Sequence, residues 1–340
     1  MKRALLVAPS KIVLEVVDDP TPGSDELLVE VKAAGICGSD IAIQRGPFAG
    51  RLTLPRVLGH EWSGQVVSIG KEVTNFKPGD HVVSEEIFWC GMCSQCRAGH
   101  FDYCEDPEEL GFTVDGAFAT HILLPARYCH KLPENISFEA GAMIEPLSVA
   151  YNALYLAGDG VEVGQRVAVI GMGPIGLCIS LWAKASGATV IGIEPRSFRR
   201  SLAADLGVSE LICVVPDSGI LDIPLNALGK IDILVEASGV QSMIPLVLPT
   251  VRPKGRVILV GHSAHPVEIP LEILVLRDIK MVGSCGQVGL NTYAKVIRAL
   301  SQDLIDPTKM ITHRFVLDQI IEAFEFALKS EKYGKIMFVQ

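Results

Sequence analysis

A glycine-rich turn between an apolar run and a helical pattern constrains the fold of this 340-residue chain more than any other feature. Val167 to Ile170 predicts a buried strand, and the pattern G-x-G-x-x-G begins directly after it. Such glycines allow a tight turn and close approach of a pyrophosphate, and the start of the following helix provides an anion site. The predicted cofactor contacts in this turn are Gly171, Gly173, Pro174, Ile175 and Gly176.

The residues after the turn complete a βαβ unit and indicate which dinucleotide it binds. A helix runs to about Ser186, and a second strand, Thr189 to Ile193, ends at Glu194. An acid at this position accepts hydrogen bonds from the adenosine ribose and repels a 2′-phosphate, which favours NAD over NADP. Arginines just past the strand have the opposite tendency, because an arginine there can hold that phosphate. They are Arg196, Arg199 and Arg200.

Further apolar runs separated by helical stretches predict more parallel strands. These runs are 211–215, 231–239, 255–261 and 279–284, and with the first two strands they predict a six-stranded parallel sheet in an α/β domain. Residues 1–148 show short alternating strands, glycine-rich turns and little helix instead, which predicts a β-rich, barrel-like domain. The apolar face at 317, 320, 321, 324 and 328 predicts a helix near the end of the chain.

Four cysteines lie on one short polar segment, at the spacing C-x2-C-x2-C-x7-C. They are Cys90, Cys93, Cys96 and Cys104. This spacing can surround one tetrahedral Zn(II), and an iron–sulfur cluster is the chemical alternative. A disulfide framework is disfavoured, because the chain has nine cysteines, an odd number, and its apolar N-terminal run is too short for a signal peptide. Four protein ligands leave no position for a substrate, so a zinc here is structural.

A second group of ligand-type residues is spread over three motifs. "GICGSD" contains Cys37, "GHEWSG" contains His60 and Glu61, and "IEPLSVA" contains Glu145. Each motif alone is weak, since a single cysteine or a His-Glu pair is common in protein cores. In this order, and together with "KPGDHV", the cysteine segment and "GMGPIG", the motifs resemble the zinc-dependent medium-chain alcohol dehydrogenases, in particular their sorbitol, polyol and threonine dehydrogenase branch.

The resemblance implies an α/β fold of two domains and a catalytic zinc. Residues 1–148 and 288–340 would form a chaperonin-like (GroES-like) catalytic domain, and residues 149–287 an NAD-binding Rossmann domain. Cys37 and His60 would bind the catalytic zinc, with Glu61 or Glu145 as a further ligand, so that each chain carries two zinc ions. On the nicotinamide side the resemblance points to Val260, Gly261, His262, Ser284 and Cys285.

Ser39 matches the hydroxyl that begins the proton relay of this family, although a role as helix N-cap is also open. Many relatives carry a histidine three residues after that hydroxyl, where this chain has Ala42. The relay must therefore end in water, a cofactor ribose or another residue, and threonine becomes a less favoured substrate.

The expected activity is hydride transfer between NAD and a secondary alcohol of a polyol, sugar acid or cyclitol, in a cleft between the domains. Arg45, Glu86 and Thr113 are candidate contacts for a hydroxylated substrate. A threonine or simple-alcohol dehydrogenase is the enzyme alternative, and a nucleotide-binding structural protein with a vestigial zinc site is the alternative from another class. The net charge of −9 argues against nucleic-acid and anionic-membrane partners. We expect a cytoplasmic homodimer or homotetramer.

Overall fold

The fold comes from a computed structural model that describes residues 1–46, 52–215, 220–221, 228–263, 265–286 and 291–340. The chain divides into two compact units, Met1–Glu145 with Val288–Gln340, and Pro146–Gln287. The first boundary falls three residues before the domain boundary expected from the sequence, inside the helix that contains Glu145.

The strands range from two to ten residues in length. In chain order they are β1 Lys2–Ala8, β2 Lys11–Val16, β3 Glu26–Gly35, β4 Arg56–Val57, β5 Glu61–Ile69, β6 His81–Ser84, β7 Ile87–Phe88, β8 Glu108–Glu109, β9 His121–Pro125, β10 Cys129–Lys131, β11 Arg166–Ile170, β12 Thr189–Ile193, β13 Glu210–Ile212, β14 Val214–Val215, β15 Ile220–Leu221, β16 Ile231–Glu236, β17 Val251–Leu259, β18 Lys280–Gly283, β19 Ile311–Phe315 and β20 Lys335–Val339.

Helices account for most of the remaining regular structure in the described residues. They are α1 Gly38–Arg45, α2 Ser94–Arg97, α3 Phe138–Ala142, α4 Ile144–Tyr151, α5 Pro174–Ala185, α6 Ser197–Asp205, α7 Met243–Val247, α8 Leu271–Arg277, α9 Thr292–Ser301 and α10 Ile320–Lys329. A π-helical turn, Asn152–Ala157, continues α4.

The first unit is β-rich, as the sequence predicted. A seven-stranded sheet has the order β10-β6-β5-β3-β20-β19, with β9 also pairing with β3, and β2-β1-β4 form a second sheet. Within the larger sheet only β19 and β20 are parallel. Strand β20 therefore lies between β3, from the early part of the chain, and β19, from the late part.

Helix α10 packs on this unit through a face slightly different from the predicted one. Ile320, Ala323, Phe324 and Ala327 are buried, whereas Ile321 is 48% exposed. The predicted helix is present, and Ile321 lies outside its buried face. Ile321 is rotated by about 100° from Ile320 around the helix axis, which places it outside the buried face of α10.

The second unit contains the predicted six-stranded parallel sheet. Its order is β13-β12-β11-β16-β17-β18, and every neighbouring pair is parallel. Chain order reverses between β11 and β16, so the carboxyl ends of these two strands flank the crevice where such sheets bind ligands. The predicted strand 211–215 is split, because only β13 joins the sheet and β14 pairs with β15 in a separate antiparallel ladder.

None of the helices in the described residues is long and apolar enough to cross a membrane.

Candidate active site

The four cysteines of the polar segment converge on one point. Their sulfur atoms all lie within 4.8 Å of one another, and Cys90 Sγ is 4.0 Å from Cys96 Sγ. That separation is far too long for a disulfide, and it is close to the roughly 3.8 Å between thiolates that share a tetrahedral zinc at about 2.3 Å. A multi-iron cluster would hold the sulfur atoms farther apart. The four thiols therefore fit a single metal ion.

Backbone N–H groups of the segment favour the thiolate form of Cys90 and Cys93, whereas burial raises the pKa of the Cys96 thiol to about 12. The N–H groups of Glu105 and Cys96 donate to Cys93 Sγ and lower the pKa of this thiol to about 6. Cys90 Sγ likewise accepts hydrogen bonds from Met92 N (3.4 Å) and Cys93 N (3.3 Å), which lower its pKa. Anionic sulfur atoms held by short loops are the donors that a structural zinc requires.

Aromatic packing attaches the start of this segment to the first unit. The hydroxyl of Tyr128 donates to the carbonyl of Trp89, the residue before Cys90. Trp89 also stacks at a tilt on Phe101, with ring centroids 4.4 Å apart, and the Arg127 guanidinium lies 4.6 Å from the centre of the Tyr128 ring. The segment is thus held in place at its beginning and near its end.

A second convergent group consists of Cys37, His60 and Glu61. One ligand atom of each lies within 4.8 Å of the others. Strand pairing explains the convergence: Gly35, at the end of β3, is paired with Glu61, at the start of β5. Cys37 then follows β3 as the N-cap of α1, and His60 directly precedes β5.

The charges around this group suit a cation. Burial opposes protonation of His60, but the carboxylates of Glu86 and Asp40 outweigh it and raise the pKa of the ring well above its usual value. Burial, and then the charge of Glu61, raise the pKa of the Cys37 thiol. Several buried acidic groups thus face one another, and a divalent cation bound by thiolate, imidazole and carboxylate would compensate their charge. This donor set fits zinc, with three protein ligands rather than four.

Glu145 is buried near this group but does not belong to it. It is 4% exposed at the start of α4, and burial raises the pKa of its carboxyl well above its usual value, with the charge of Glu86 adding to the effect. Glu61, and not Glu145, is the carboxylate within 4.8 Å of Cys37 and His60. Of the three candidate substrate contacts, only Glu86 influences the group, since Arg45 and Thr113 are exposed side chains.

Ser39 is not the N-cap of α1, so that interpretation was wrong. The helix begins at Gly38 with Cys37 as its cap, and Asp40 accepts a hydrogen bond from Cys37 N (2.9 Å). The hydroxyl oxygen of Ser39 is buried and has no hydrogen-bond partner within the described residues. Its neighbour Ala42 lies one turn further along the same helix.

Two residues that support the Cys37 group were missed from the sequence. Asp40 accepts hydrogen bonds from Cys37 N and Gly59 N, and its Oδ1 lies 3.8 Å from His60 Nδ1. Lys335, at the start of β20, forms an ion pair with Glu61 Oε2, and both side chains are only 1% exposed. The Lys335 ammonium also donates to the carbonyl of Ile36 (3.2 Å). The sequence signal for this pair was a lysine at the start of an apolar strand.

The glycine-rich turn of the second unit has the close packing that its sequence predicts. It runs from β11 to Pro174 at the first position of α5. A Cβ atom at Gly176 would collide with the carbonyl oxygen of Gly171, so only glycine fits there. Ile175, like Gly173, is half-buried in this turn.

Glu194 is fixed against this turn. It is 2% exposed, and its carboxylate accepts hydrogen bonds from Met172 N (2.9 Å) and Arg196 N (3.0 Å). Arg200 Nη1 donates to the carbonyl of Glu194 (2.8 Å), so this arginine is used by the backbone. Arg199 Nη1 would lie 3.7 Å from a Cβ atom at Gly173, beside the glycine turn.

The expected nicotinamide-side residues follow the last two strands of the sheet. Val260, Gly261 and His262 come directly after β17, and Ser284 and Cys285 come after β18. Asn152 is the first residue of the π-helical turn. Its buried side-chain amide donates to the carbonyls of Cys285 (3.2 Å) and Gly286 (2.8 Å). This asparagine was also missed from the sequence.

Two family models match the chain. "Alcohol dehydrogenase GroES-like domain" matches residues 23–134, and "Zinc-binding dehydrogenase" matches residues 174–302. Among curated proteins, scyllo-inosose 3-dehydrogenase of Thermotoga maritima is 35% identical over 87% of this chain and 82% of its own. Sorbitol dehydrogenase of Bombyx mori is 30% identical over 99% and 98%, and L-threonine 3-dehydrogenase of Bacillus licheniformis is 33% identical over 96% and 94%.

Two solved structures are similar to this chain over nearly their full length. An alcohol dehydrogenase from E. coli CFT073 complexed with NADH has a TM-score of 0.90 and 29% identity, covering 100% of this chain and 99% of that one. A zinc-binding dehydrogenase of Sinorhizobium meliloti bound to NADP has a TM-score of 0.89 and 28% identity, with the same coverage. The chain therefore belongs to the zinc-dependent medium-chain alcohol dehydrogenase family. It is an alcohol or polyol dehydrogenase, and the predicted fold class is confirmed.

Replacing Cys93 by serine should remove one metal ion per chain and destabilise the first unit. Loss of a loop-closing clamp costs on the order of 3 kcal/mol, and we expect the midpoint of thermal unfolding to fall by roughly 5–10 °C. Metal analysis and a thermal scan measure both effects. Cys213→Ser, a change at a half-buried cysteine outside the cluster, is the matched control. Unchanged metal content in Cys93→Ser would contradict a metal role for the segment.

Replacing Lys335 by methionine should leave the Glu61 carboxylate buried without its partner. We expect a loss of about 3–5 kcal/mol in the free energy of unfolding when the protein is stripped of metal, because an unpaired buried charge is costly. Zinc should reduce the loss, since the cation compensates the same carboxylate. Lys2→Met, which breaks the exposed ion pair to Asp318, is the control and should cost no more than about 1 kcal/mol. Urea unfolding with and without chelator compares the variants, and equal costs would refute the argument.

Proposed function

We propose that the protein transfers a hydride between NAD and a secondary alcohol of a polyol, sugar acid or cyclitol. The convergence of Cys37, His60 and Glu61 on one point carries this proposal. Three protein donors leave a coordination position for substrate, whereas the four-cysteine segment does not. Each chain would then hold two zinc ions, one at each group.

Zinc bound by these residues supplies Lewis-acid polarisation of the substrate hydroxyl, which lowers its pKa. The protein residues orient the ligands and move the proton. Asp40 holds the Cys37 backbone and faces the His60 ring, while Lys335 holds Glu61. The buried hydroxyl of Ser39 receives the substrate proton and passes it to water or to a ribose hydroxyl, because Ala42 cannot carry it further.

NAD, rather than NADP, is the proposed cofactor. Glu194 is held by two backbone N–H groups at the end of β12, where its charge repels a 2′-phosphate. Arg200 donates to the carbonyls of Glu194 and Pro195, whereas Arg199 Nη1 would lie 3.7 Å from a Cβ atom at Gly173. We assign Arg199 to the adenine. Val260 to His262, with Ser284 and Cys285, contact the nicotinamide half.

The substrate class rests on Glu145, on Ala42 and on the relatives. Scyllo-inosose 3-dehydrogenase and sorbitol dehydrogenase are named for polyhydroxylated substrates. The similarity to L-threonine 3-dehydrogenase keeps threonine as the second candidate, which Ala42 disfavours. The charge of Glu86, which is felt by both His60 and Glu145, would suit hydroxyl groups of such a substrate.

Reduction of NAD by zinc-loaded protein tests the activity and the substrate class together. The panel contains polyols, sugar acids, cyclitols, threonine and simple alcohols, and absorbance of the reduced nicotinamide is measured. We expect turnover with a polyhydroxylated class and at least tenfold lower kcat/KM with threonine. Turnover with threonine alone would overturn the substrate assignment.

Cys37→Ser provides the matched variant for that assay. It should abolish turnover while the fold and the dinucleotide affinity persist, because Cys37 lies in the first unit and the glycine turn in the second. Activity above a few per cent of wild type would contradict the catalytic metal. Binding of NAD without turnover on any substrate would favour the non-enzymatic alternative.

We also propose that the protein is a cytoplasmic homodimer or homotetramer. None of the nine cysteines, all of which lie in the described residues, is joined in a disulfide, which suits a reducing compartment. Helix α8 exposes Leu271, Val275 and Leu276, and the next strand, β18, is an edge of the parallel sheet. An apolar patch beside an open edge favours pairing with a second copy.

Sedimentation velocity tests this assembly. We expect wild type to sediment as a dimer or tetramer and Val275→Lys to shift toward smaller species, because a charge would be buried in the patch. Leu304→Lys, at an exposed leucine of the other unit, should have no effect. A wild-type monomer at micromolar concentration would contradict the proposal.

A further inference from the structure

Glu236 is a buried carboxylate at the nucleotide crevice that the proposed mechanism does not use. It is the last residue of β16 and is 0% exposed. Chain order reverses between β16 and its neighbour β11, so Glu236 stands at the carboxyl edge where a parallel sheet binds its ligand.

The hydrogen bonds of Glu236 connect two turns at this edge. Its carbonyl accepts from Val260 N (2.9 Å) and Gly261 N (3.0 Å), which fixes the turn after β17. Its Oε1 accepts from the backbone N–H (2.8 Å) and the hydroxyl (2.5 Å) of Ser238, which fixes the turn after β16. One residue therefore holds both turns, the turn after β17 through its backbone carbonyl and the turn after β16 through its side chain.

The other carboxylate oxygen, Oε2, points toward Gly261. A Cβ atom at Gly261 would collide with it, so the backbone there approaches the carboxylate directly. Oε2 is buried and accepts no hydrogen bond within the described part of the chain. Half of the carboxylate is thus left without a donor, close to the turn after β17.

The orientation of a bound dinucleotide follows from the other end of the crevice. The acid at the end of β12, Glu194, marks the adenosine half, and the N-terminus of α5 marks the pyrophosphate. The nicotinamide half must then extend across the ends of β16 and β17, toward Glu236 and Gly261. The nicotinamide ring carries a positive charge in NAD⁺ and none in NADH.

We propose that the buried charge of Glu236 raises the affinity of the site for the oxidised cofactor relative to its affinity for the reduced one. A partly uncompensated carboxylate attracts a cation strongly in a dry environment and leaves a neutral ring almost unaffected. The inference rests on the proposed binding of a nicotinamide dinucleotide in this crevice. It implies that the bound equilibrium is shifted toward NAD⁺ and alcohol, without changing the equilibrium in solution.

Calorimetric titration of zinc-loaded protein with NAD⁺, NADH and ADP-ribose tests the inference. Glu236→Gln keeps the shape and the acceptor for Ser238 but removes the charge. We expect its affinity for NAD⁺ to fall about five- to tenfold, while the affinities for NADH and ADP-ribose change by no more than about twofold. An equal loss for all three ligands would show a purely structural role and overturn the inference.

Asp232→Asn is the matched control, because it removes another buried carboxylate of the same strand. Asp232 accepts from Arg166 N (2.7 Å) and pairs with Arg252, at the opposite end of β16. Four residues of strand put it about 13 Å from Glu236, so the ratio of NAD⁺ to NADH affinity should stay at the wild-type value. A ratio that fell as far as in Glu236→Gln would overturn the inference.

Ser238→Ala gives an independent test should Glu236→Gln fail to fold. It removes one hydrogen bond from the carboxylate and keeps the charge, so the ratio of NAD⁺ to NADH affinity should stay the same or increase. A fall of fivefold or more in that ratio would overturn the inference. If wild type binds ADP-ribose but neither dinucleotide, the nicotinamide half has no site and the proposed function fails as well.

Discussion

The ion pair between Glu61 and Lys335 is the interaction on which the first unit depends. Each side chain is 1% exposed, and at that depth either charge alone would be strongly unfavourable. Glu61 opens β5 and Lys335 opens β20, and both strands flank β3 in one sheet. A sheet that lacked β20 would expose an edge of β3 and also leave a buried carboxylate unpaired beside Cys37 and His60. Metal site and sheet are therefore completed by the same strand.

The two cysteine-containing groups are arranged for different purposes. In the four-cysteine segment, backbone N–H groups donate to the sulfur atoms, and a metal ion bound there would close a loop. Around Cys37 and His60, carboxylates such as Asp40, Glu86 and Glu145 accumulate instead, and burial raises the pKa of Glu145 and Cys37. This anionic environment would stabilise a cation. With three protein ligands, the cation would keep one coordination position for a substrate oxygen.

Local patterns were enough to predict much of this from the sequence. The glycine turn, the strand Thr189–Ile193 and the cysteine spacing are read from residues close together in the chain, and the structure has the parallel sheet they predict. Lys335, Glu236 and Asn152 were missed because their roles depend on residues brought close by folding. The N-cap alternative for Ser39 fails because the helix starts at Gly38, and Ile321 lies outside the buried face because it is rotated by about 100° from Ile320.

Strand β20 has a further consequence for how the protein is made. Lys335 follows Glu61 by 274 residues, so the ribosome must synthesise the whole nucleotide-binding unit before the partner of Glu61 exists. The second unit is a continuous segment and can fold while the first is still incomplete. Until β20 emerges, the nascent chain has an open sheet edge at β3 and an acid, Glu61, without its cation. The first unit is therefore most exposed to aggregation and to chaperones in the interval before its last strand is synthesised.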